Sequence, residues 1–112
     1  MSEPVGLGRL LALSDDPAPV LRALDNVMDP ELGASIMDLG LVYEVTVTAG
    51  MARVLMTTTT AACPIGSYLE DEVRWAVLDL PGIADVEVVM TYSPAWTPAR
   101  MLPAARAMLG YR

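Results

Sequence analysis

The sequence predicts an α+β domain of two layers, with helices packed on a small mixed sheet in the order helix, strand, strand, helix, strand, helix. Apolar residues recur at helical spacing in two segments and alternate with polar residues in three others. Pro and Gly residues separate these segments. At 112 residues the chain has the usual length of one domain, so we expect one core and one site.

The first predicted helix follows Asp16, a favoured N-cap residue, and Pro17, which suits a first helical turn. It is expected to end before Pro30. Its apolar residues lie on one face: Val20, Leu21, Leu24, Val27 and Met28. Residues 1–15 contain glycines and no helix cap, so we expect a mobile or loosely docked arm there. The domain itself is therefore expected to span residues 16–112.

Two strands joined by a tight turn are predicted next. Residues 41–48 alternate between apolar and polar side chains, and the alternation resumes after Ala49-Gly50 and continues to Met56. Residues 86–90 alternate in the same way and form the third predicted strand. Because a helix precedes this third strand, we expect it to be parallel to one strand of the hairpin, through a right-handed crossover.

Two further helices complete the predicted order. Pro64 is expected to occupy the first position of the second helix, and Pro81-Gly82 to end that helix. The apolar stripe of the second helix consists of Ile65, Leu69, Val73, Ala76, Val77 and Leu80. Trp75, on the same helix, is expected to pack over the edge of the core. Thr97 is expected to cap a last helix that runs from Pro98 to Gly110.

The composition excludes several classes of function. No apolar run reaches the roughly 18 to 20 residues of a membrane span, and the first residues lack the features of a secretory signal. We therefore expect a soluble, cytoplasmic protein with no membrane partner. The net charge is -7 and no Lys is present, which disfavours nucleic acid as a partner. Histidine is absent, so the commonest general base and metal ligand is missing.

Cys63 is the candidate reactive residue. It lies between a predicted strand and a predicted helix, at or next to the N-cap, where the helix dipole is expected to lower the thiol pKa and favour the thiolate. Thr59 and Thr60 are placed to offer hydroxyls to a sulfide, thiolate or phosphate. Alternatively, Cys63 is a small buried hydrophobe and the threonines are ordinary strand residues. The chemistry of these residues alone leaves both interpretations open.

Asp29 and Glu31 form a second candidate group, on either side of Pro30. Two carboxylates on a loop stiffened by proline can accept a proton, bind a metal or orient a partner's amide. Their spacing alone favours the simpler interpretation that they are solvated loop residues.

Two loop segments carry weaker signals. Asp38-Leu39-Gly40 is interpreted as a turn in which Gly40 takes a backbone conformation that other residues avoid. The segment from Tyr92 to Pro98 contains Trp96, which either covers the site or contacts a partner. The more usual role of such a tryptophan is to pack over the edge of the core.

Three segments, taken together and in this order, resemble the metal-sulfur cluster biosynthetic family that contains SufT and the PaaD-like proteins. They are DPELGASIMDLGLVYEV, TTTTAACPIG and LPGIADVEVVMTYSPAWTPARM. The similarity runs from about Val20 to the C-terminus, and it implies a stand-alone α+β domain that acts in iron-sulfur cluster assembly or transfer. The PaaD branch typically carries a further cysteine-rich segment after this domain. This sequence shows no such segment before Arg112, so we expect the short, stand-alone form.

The resemblance also implies the residues of the site. The cysteine of the T-T-x-x-C-P pattern, which falls on Thr59, Thr60 and Cys63, is implied to be the reactive or ligating residue. The D-P-E pattern falls on Asp29 and Glu31. The family further implies a homodimer, with client apoproteins and other cluster-assembly proteins as partners. Because a [2Fe-2S] cluster normally has four protein ligands, one thiol per chain implies a cluster that is labile or shared between chains.

Three functions are compatible with these features. In the first, which we favour, the protein is a cluster carrier or assembly factor in which Cys63 binds iron. In the second, Cys63 is the nucleophile of a thiol-dependent enzyme and Asp29 or Glu31 is its base, which would require a carboxylate pKa raised by burial. In the third, the protein is a metal-free adaptor that binds client apoproteins through its acidic surface and the Tyr92–Trp96 segment.

Overall fold

A computed structural model describes residues 13–59 and 65–110. Its elements, in chain order, are α1 (Ala18–Leu24), β1 (Met28–Asp29), β2 (Ala34–Ser35), β3 (Val42–Thr48), β4 (Met51–Met56), α2 (Gly66–Leu78), β5 (Asp85–Met90), a 3₁₀-helix (Pro98–Arg100) and α3 (Pro103–Met108). The predicted α+β class is confirmed. The short β1–β2 hairpin was not predicted. Residues 1–12, Thr60, Cys63 and Pro64, to which other predictions apply, lie outside the described residues.

The hairpin formed by β3 and β4 is confirmed. Thr48 is opposite Met51, so a two-residue turn joins the strands. Ala49 and Gly50 in that turn have φ angles of 48° and 78°. Positive φ at both central residues is the backbone that matches the right-handed twist of a two-residue hairpin. This turn fixes the register of the antiparallel pair.

The third strand is parallel to β4, as expected for a strand that follows a helical connection. The register runs from Met51 opposite Asp85 to Met56 opposite Met90, and β4 is the central strand of the sheet β3–β4–β5. Because β4 and β5 are parallel and β3 is antiparallel to both, the ends of β4 and β5 and the beginning of β3 lie at one edge. We call this the carboxyl edge of the sheet.

The core lies between one face of the sheet and the helices. Buried side chains come from α1, α2 and the three strands of this sheet or their ends, and they include Val20, Leu24, Leu41, Ala52, Val54, Met56, Leu69, Val73, Val77 and Val86. On the opposite face of the sheet, Arg53 and Glu87 form an exposed ion pair of 3.0 Å across β4 and β5. The sheet therefore has one apolar and one polar face, as the alternating sequence predicts.

The residues just before α1 are fixed to the far edge of the sheet. Ser14 donates its N–H to the carbonyl of Gly82 at 2.9 Å and accepts a bond from the N–H of Gly50 at 2.8 Å. Asp15 accepts a bond from the N–H of Ala49 at 2.7 Å. The last residues of the predicted arm are thus part of the folded unit.

The first helix is shorter than predicted. Its start agrees with the sequence, since the Asp16 carboxylate accepts a bond from the N–H of Ala18 at 3.0 Å. It ends at Leu24, however, and not just before Pro30. Val27 instead accepts a bond from the N–H of Ile36 at 2.9 Å, next to the β1–β2 pair. Pairing with a later segment therefore outweighed the helical periodicity of Val27 and Met28.

The predicted last helix is two separate elements. After the 3₁₀-helix, Met101 and Leu102 are extended, with ψ angles of 147° and 148°. Leu102 precedes Pro103, and the proline ring disfavours helical geometry in the residue before it. The prediction of one helix from Pro98 to Gly110 is wrong because it ignored this proline.

The second helix begins at Gly66, with Ile65 as its N-cap, whereas the sequence predicted Pro64 as its first position. The N-cap therefore follows Cys63 by two residues, and the prediction that Cys63 is at or next to the N-cap is wrong.

The apolar stripe of this helix is confirmed by the burial of Leu69, Val73 and Val77. The prediction that Trp75 packs over the core is wrong, since its side chain is 69% exposed. Trp75 lies about 200° around the helix from both valines, on the opposite face. No helix within the described parts of the chain is long and apolar enough to cross a membrane.

Leu69 is a direct test of this packing. We expect Leu69→Ala to lower the free energy of unfolding by about 2 to 5 kcal/mol, because it leaves a cavity between α2 and the sheet. Tyr68→Ala, at the neighbouring position whose side chain is half exposed, is expected to change it by less than about 1 kcal/mol. Urea unfolding followed by circular dichroism measures both. Equal losses would place Leu69 outside the core.

Candidate functional site

Three chain segments are tied together at the carboxyl edge of the sheet. Thr57 donates its N–H to the carbonyl of Leu41 at 2.8 Å, and Thr91 donates its N–H to the carbonyl of Met56 at 2.9 Å. Both bonds extend the ladders of the sheet beyond the ends of β4 and β5. The residues that follow these strands therefore leave the sheet side by side, at the start of β3.

The first turn of α2 lies at the same edge. The Thr58 hydroxyl donates to the Tyr92 hydroxyl at 3.4 Å. A Cβ placed on Gly66 would lie 3.7 Å from the Thr58 methyl group and 3.9 Å from the Tyr92 hydroxyl. Thr58 is buried, and the side chain of Tyr92 is 41% exposed. The N-terminal end of α2 and two hydroxyls thus share one small region, which favours an anion or a strong hydrogen-bond acceptor.

This region lies between the two described ends of the segment predicted to be reactive. Thr59, which is half-buried, is the last described residue before that segment, and Ile65 is the first one after it. Thr59 directly follows Thr58 and Ile65 directly precedes Gly66, so both ends lie at the carboxyl edge. The roles assigned to Thr59, Thr60 and Cys63 remain predictions.

Tyr43 connects the start of β3 to the segment after β5. The register of β3 and β4 shifts between Val42 and Glu44, so Tyr43 is the extra residue of a bulge. Its hydroxyl donates to the carbonyl of Pro94 at 2.8 Å. The guanidinium of Arg100 lies 4.6 Å from the centre of its ring, a cation–π distance. Tyr43 therefore fixes the segment that follows Tyr92.

Trp96 fixes the same segment from the other side. Its indole N–H donates to the carbonyl of Leu39 at 2.7 Å, and its ring packs against the core. Leu102 donates its N–H to the carbonyl of Asp38 at 2.9 Å. The predicted Asp38–Gly40 turn is confirmed, and so is the packing of Trp96 over the edge of the core. The C-terminal segment is thus bound to this turn at several points.

Gly40 allows this close contact. Its φ angle is 72°, and a Cβ added there would overlap the backbone carbonyl of Arg100. Gly33 has a similar φ of 67° but no atom within 4 Å of an added Cβ. The two glycines therefore separate the cost of backbone conformation from the cost of close approach.

We expect Gly33→Ala to destabilise the protein by about 1 kcal/mol, because the backbone conformation is unfavourable for alanine. Gly40→Ala should lower the free energy of unfolding by roughly 1 to 3 kcal/mol more than Gly33→Ala does, because the C-terminal segment must also move. Thermal unfolding of the two variants measures the difference. Equal losses would show that Arg100 does not pack against the turn in solution.

Asp29 and Glu31 have different environments. The side chain of Asp29 is only 3% exposed, and one of its carboxylate oxygens accepts bonds from the N–H groups of Glu31 at 2.8 Å and Leu32 at 3.1 Å. Glu31 is exposed. The interpretation as solvated loop residues is therefore correct for Glu31 and wrong for Asp29, which holds the β1–β2 turn through the backbone. Cofactor binding by either residue remains a prediction.

This difference predicts opposite responses to substitution. Asp29→Ala should lower the free energy of unfolding by about 1 to 3 kcal/mol, because it leaves backbone N–H groups of the turn without their acceptor. Glu31→Ala should change it by no more than about 0.5 kcal/mol. Chemical denaturation measures both values. A larger loss for Glu31→Ala would contradict the assigned roles.

Neither Thr58 nor Tyr92 was predicted as a ligand or a reactive residue, although Tyr92 begins the segment predicted to cover the site or contact a partner. A signal for Tyr92 was present, since it follows the third strand by two residues and parallel strands end at the same edge. In residues 13–59 and 65–110, no three His, Cys, Asp or Glu side chains are grouped closely enough to hold a metal ion. The polar groups that the described residues place at this edge include the hydroxyls of Thr58 and Tyr92 and the first N–H groups of α2.

Comparison with known proteins gives consistent matches over most of the chain. A family model described as "Iron-sulfur cluster assembly protein" matches residues 17–90. The chain is 41% identical over 92 residues to the Fe-S protein maturation auxiliary factor YitW of Bacillus subtilis, covering 81% of this chain and 90% of YitW. It is 44% identical over 85 residues to the Fe-S protein maturation auxiliary factor SufT of Staphylococcus aureus, covering 75% and 97%.

The fold also matches a solved structure. The crystal structure of a domain of unknown function, DUF59, from Bacillus anthracis superposes with a TM-score of 0.78 at 35% identity. The match covers 83% of this chain and 90% of that chain. The three-stranded mixed sheet with its helices is thus the fold of a known protein domain.

Proposed function

The chain belongs to the iron-sulfur cluster assembly protein family, and on that premise we propose that it assembles or transfers iron-sulfur clusters through Cys63. The family membership confirms the resemblance carried by the three sequence segments. The observation that supports the site is the contact among Thr58, Tyr92 and the start of α2. It lies where both described ends of the Cys63 segment meet the sheet.

The chemistry of this region suits sulfur ligands. Sulfide and thiolate are anionic acceptors, and the first N–H groups of a helix together with hydroxyls are donors. A hydroxyl can both donate and accept, so the Tyr92 hydroxyl, 3.4 Å from the Thr58 hydroxyl, can donate its hydrogen to a further acceptor. Tyr92 is partly exposed, so that donation can reach a bound group. We assign to Tyr92 the role of a hydrogen-bond donor to cluster sulfur or to the Cys63 thiolate.

The shortage of ligands favours transfer over storage. One chain has a single cysteine and no histidine. The other ligands of a cluster would come from a second copy of this chain, a client protein or a small thiol. We therefore propose a homodimer in the cytoplasm that holds a cluster in a labile or shared form. Client apoproteins and other cluster-assembly proteins are the proposed partners.

Ligand exchange is the simplest transfer step for such a site. A thiolate of the client replaces the Cys63 thiolate on iron, and the Cys63 sulfur leaves as thiolate or takes a proton. No electron is gained or lost in this exchange. A cysteine that shortly precedes a helix suits the step, because a nearby helix N-terminus stabilises the thiolate that leaves.

Anaerobic reconstitution with iron, sulfide and a small thiol tests the role of Cys63. We expect the wild type to gain visible sulfide-to-iron charge-transfer bands and to be dimeric when loaded, as measured by absorption and by mass in solution. Cys63→Ser should gain no bands, because a hydroxyl is a poor ligand for iron in these clusters. Equal bands in both proteins would exclude Cys63 as a ligand.

Tyr92→Phe tests the proposed hydrogen bond from the Tyr92 hydroxyl. It keeps the ring and removes only the hydroxyl, so the cluster should still form. We expect the variant to lose iron to a chelator about three- to tenfold faster than the wild type, which corresponds to one hydrogen bond.

The reconstitution experiment can also contradict direct carriage of a cluster. If neither wild type nor Cys63→Ser gains bands, direct carriage fails, and an adaptor without metal becomes the better account.

A further inference from the structure

Trp75 is an exposed aromatic residue that the fold does not use. Its side chain is 69% exposed, on the face of α2 that points away from the core. It is nine residues from Gly66, which places it about 14 Å along the helix from the candidate site. A large indole held open to solvent on a rigid helix is typical of the centre of a protein–protein contact.

Acidic residues surround Trp75 on the same face. Asp71 and Glu72 precede it by four and three residues, and Asp79 follows it by four, so all three are its neighbours on the helix surface. All three are exposed. Tyr68, which is 48% exposed, continues the same face one turn further towards the start of the helix. We call this set, Tyr68, Asp71, Glu72, Trp75 and Asp79, the Trp75 face.

A groove lies beside the Trp75 face, between α1 and α2. Its volume is about 430 Å³, and its apolar lining includes Ala23, Val27 and Ala76. Glu72 and Trp75 line it from α2, and Asp79 lines it from the C-cap of that helix. An adjoining groove towards Pro19 is lined by Arg22 together with Asp79. The groove beside Trp75 therefore combines apolar contacts with two carboxylates. Among the described residues that line these two grooves, the one arginine is Arg22, in the groove towards Pro19.

We propose that the Trp75 face and its groove bind an arginine-bearing segment of a partner protein. A guanidinium stacks on the Trp75 ring and pairs with Glu72 and Asp79, while apolar neighbours of that arginine enter the groove. Tryptophan is the best aromatic partner for a cation, and arginine the cation most often found there. The complementary charge of the carboxylates selects a basic segment over an acidic one.

Two of the chain's other arginines have partners of their own, whereas Arg22 lines the adjoining groove. Arg74, next to Trp75 in sequence, donates to the carbonyl of Val86 at 3.2 Å and so faces the sheet. Arg100 stacks on Tyr43. The binding surface involves no part of the carboxyl edge, so the proposal goes beyond cluster chemistry and stands or fails separately from the role of Cys63.

The test uses the full-length protein without iron, at physiological ionic strength, where weak surface attraction is screened. A short labelled peptide that contains arginine and leucine is titrated against the protein by fluorescence anisotropy. A matched peptide carries glutamate in place of each arginine. We expect the arginine peptide to bind and the glutamate peptide not to bind.

Variants separate the specific surface from general charge. Trp75→Leu and Glu72→Gln should each weaken binding of the arginine peptide by about three- to tenfold, and Trp75→Phe by less than Trp75→Leu. Glu44→Gln is the control, because it makes the same change in net charge at an exposed position on β3. It should leave the affinity unchanged.

Several results would overturn the proposal. Equal weakening by Glu72→Gln and Glu44→Gln would show general charge attraction, and so would binding that Trp75→Leu does not affect. Absence of binding of the arginine peptide to the wild type would also overturn the proposal. A wild-type dimer that Trp75→Leu converts to monomer would assign the face to a second copy of this chain. Protection of Trp75 from acrylamide quenching, taken as the difference between wild type and Trp75→Phe, would show that the isolated chain already covers it.

Discussion

The pairing at the end of β4 is the constraint on which the site depends. As the central strand, β4 bonds to β3 on one side and to β5 on the other, and the bonds continue past its end to Leu41 and Thr91. This pairing brings Thr58 and Tyr92 together at the first turn of α2. Without parallel pairing of β4 and β5, Tyr92 would leave the sheet at the opposite edge. The helix packing and the C-terminal segment then hold an edge that the strands have already defined.

Much of this architecture follows from local rules that the sequence displays. The alternation of residues 41–48 and the Ala49-Gly50 turn predict the hairpin, and a strand after a helix predicts the parallel partner. Local rules also held information that was not used. Pro103 divides the last helical region, and Trp75 is at the wrong angle to share a face with Val73 and Val77.

Other features depend on contacts between distant segments and have no local signal. Strands as short as β1 and β2 show no usable period, and their pairing removed Val27 and Met28 from the predicted first helix. The burial of Asp29 reflects its bonds to the following turn, which the D-P-E pattern alone does not distinguish from a solvated loop. The hydroxyl pair at the carboxyl edge likewise exists only once the sheet has formed.

One small domain thus has two separate surfaces: an edge with hydrogen-bond donors, which we propose for cluster chemistry, and a helix face, which we propose for a partner. Cluster transfer by Cys63 is tested by the rate at which an apoferredoxin acquires its cluster from the loaded protein under anaerobic conditions. The account predicts faster loading from this donor than from equal iron and sulfide in solution, with the advantage lost in Cys63→Ser. Equal rates from the wild type, the variant and free iron with sulfide would contradict it.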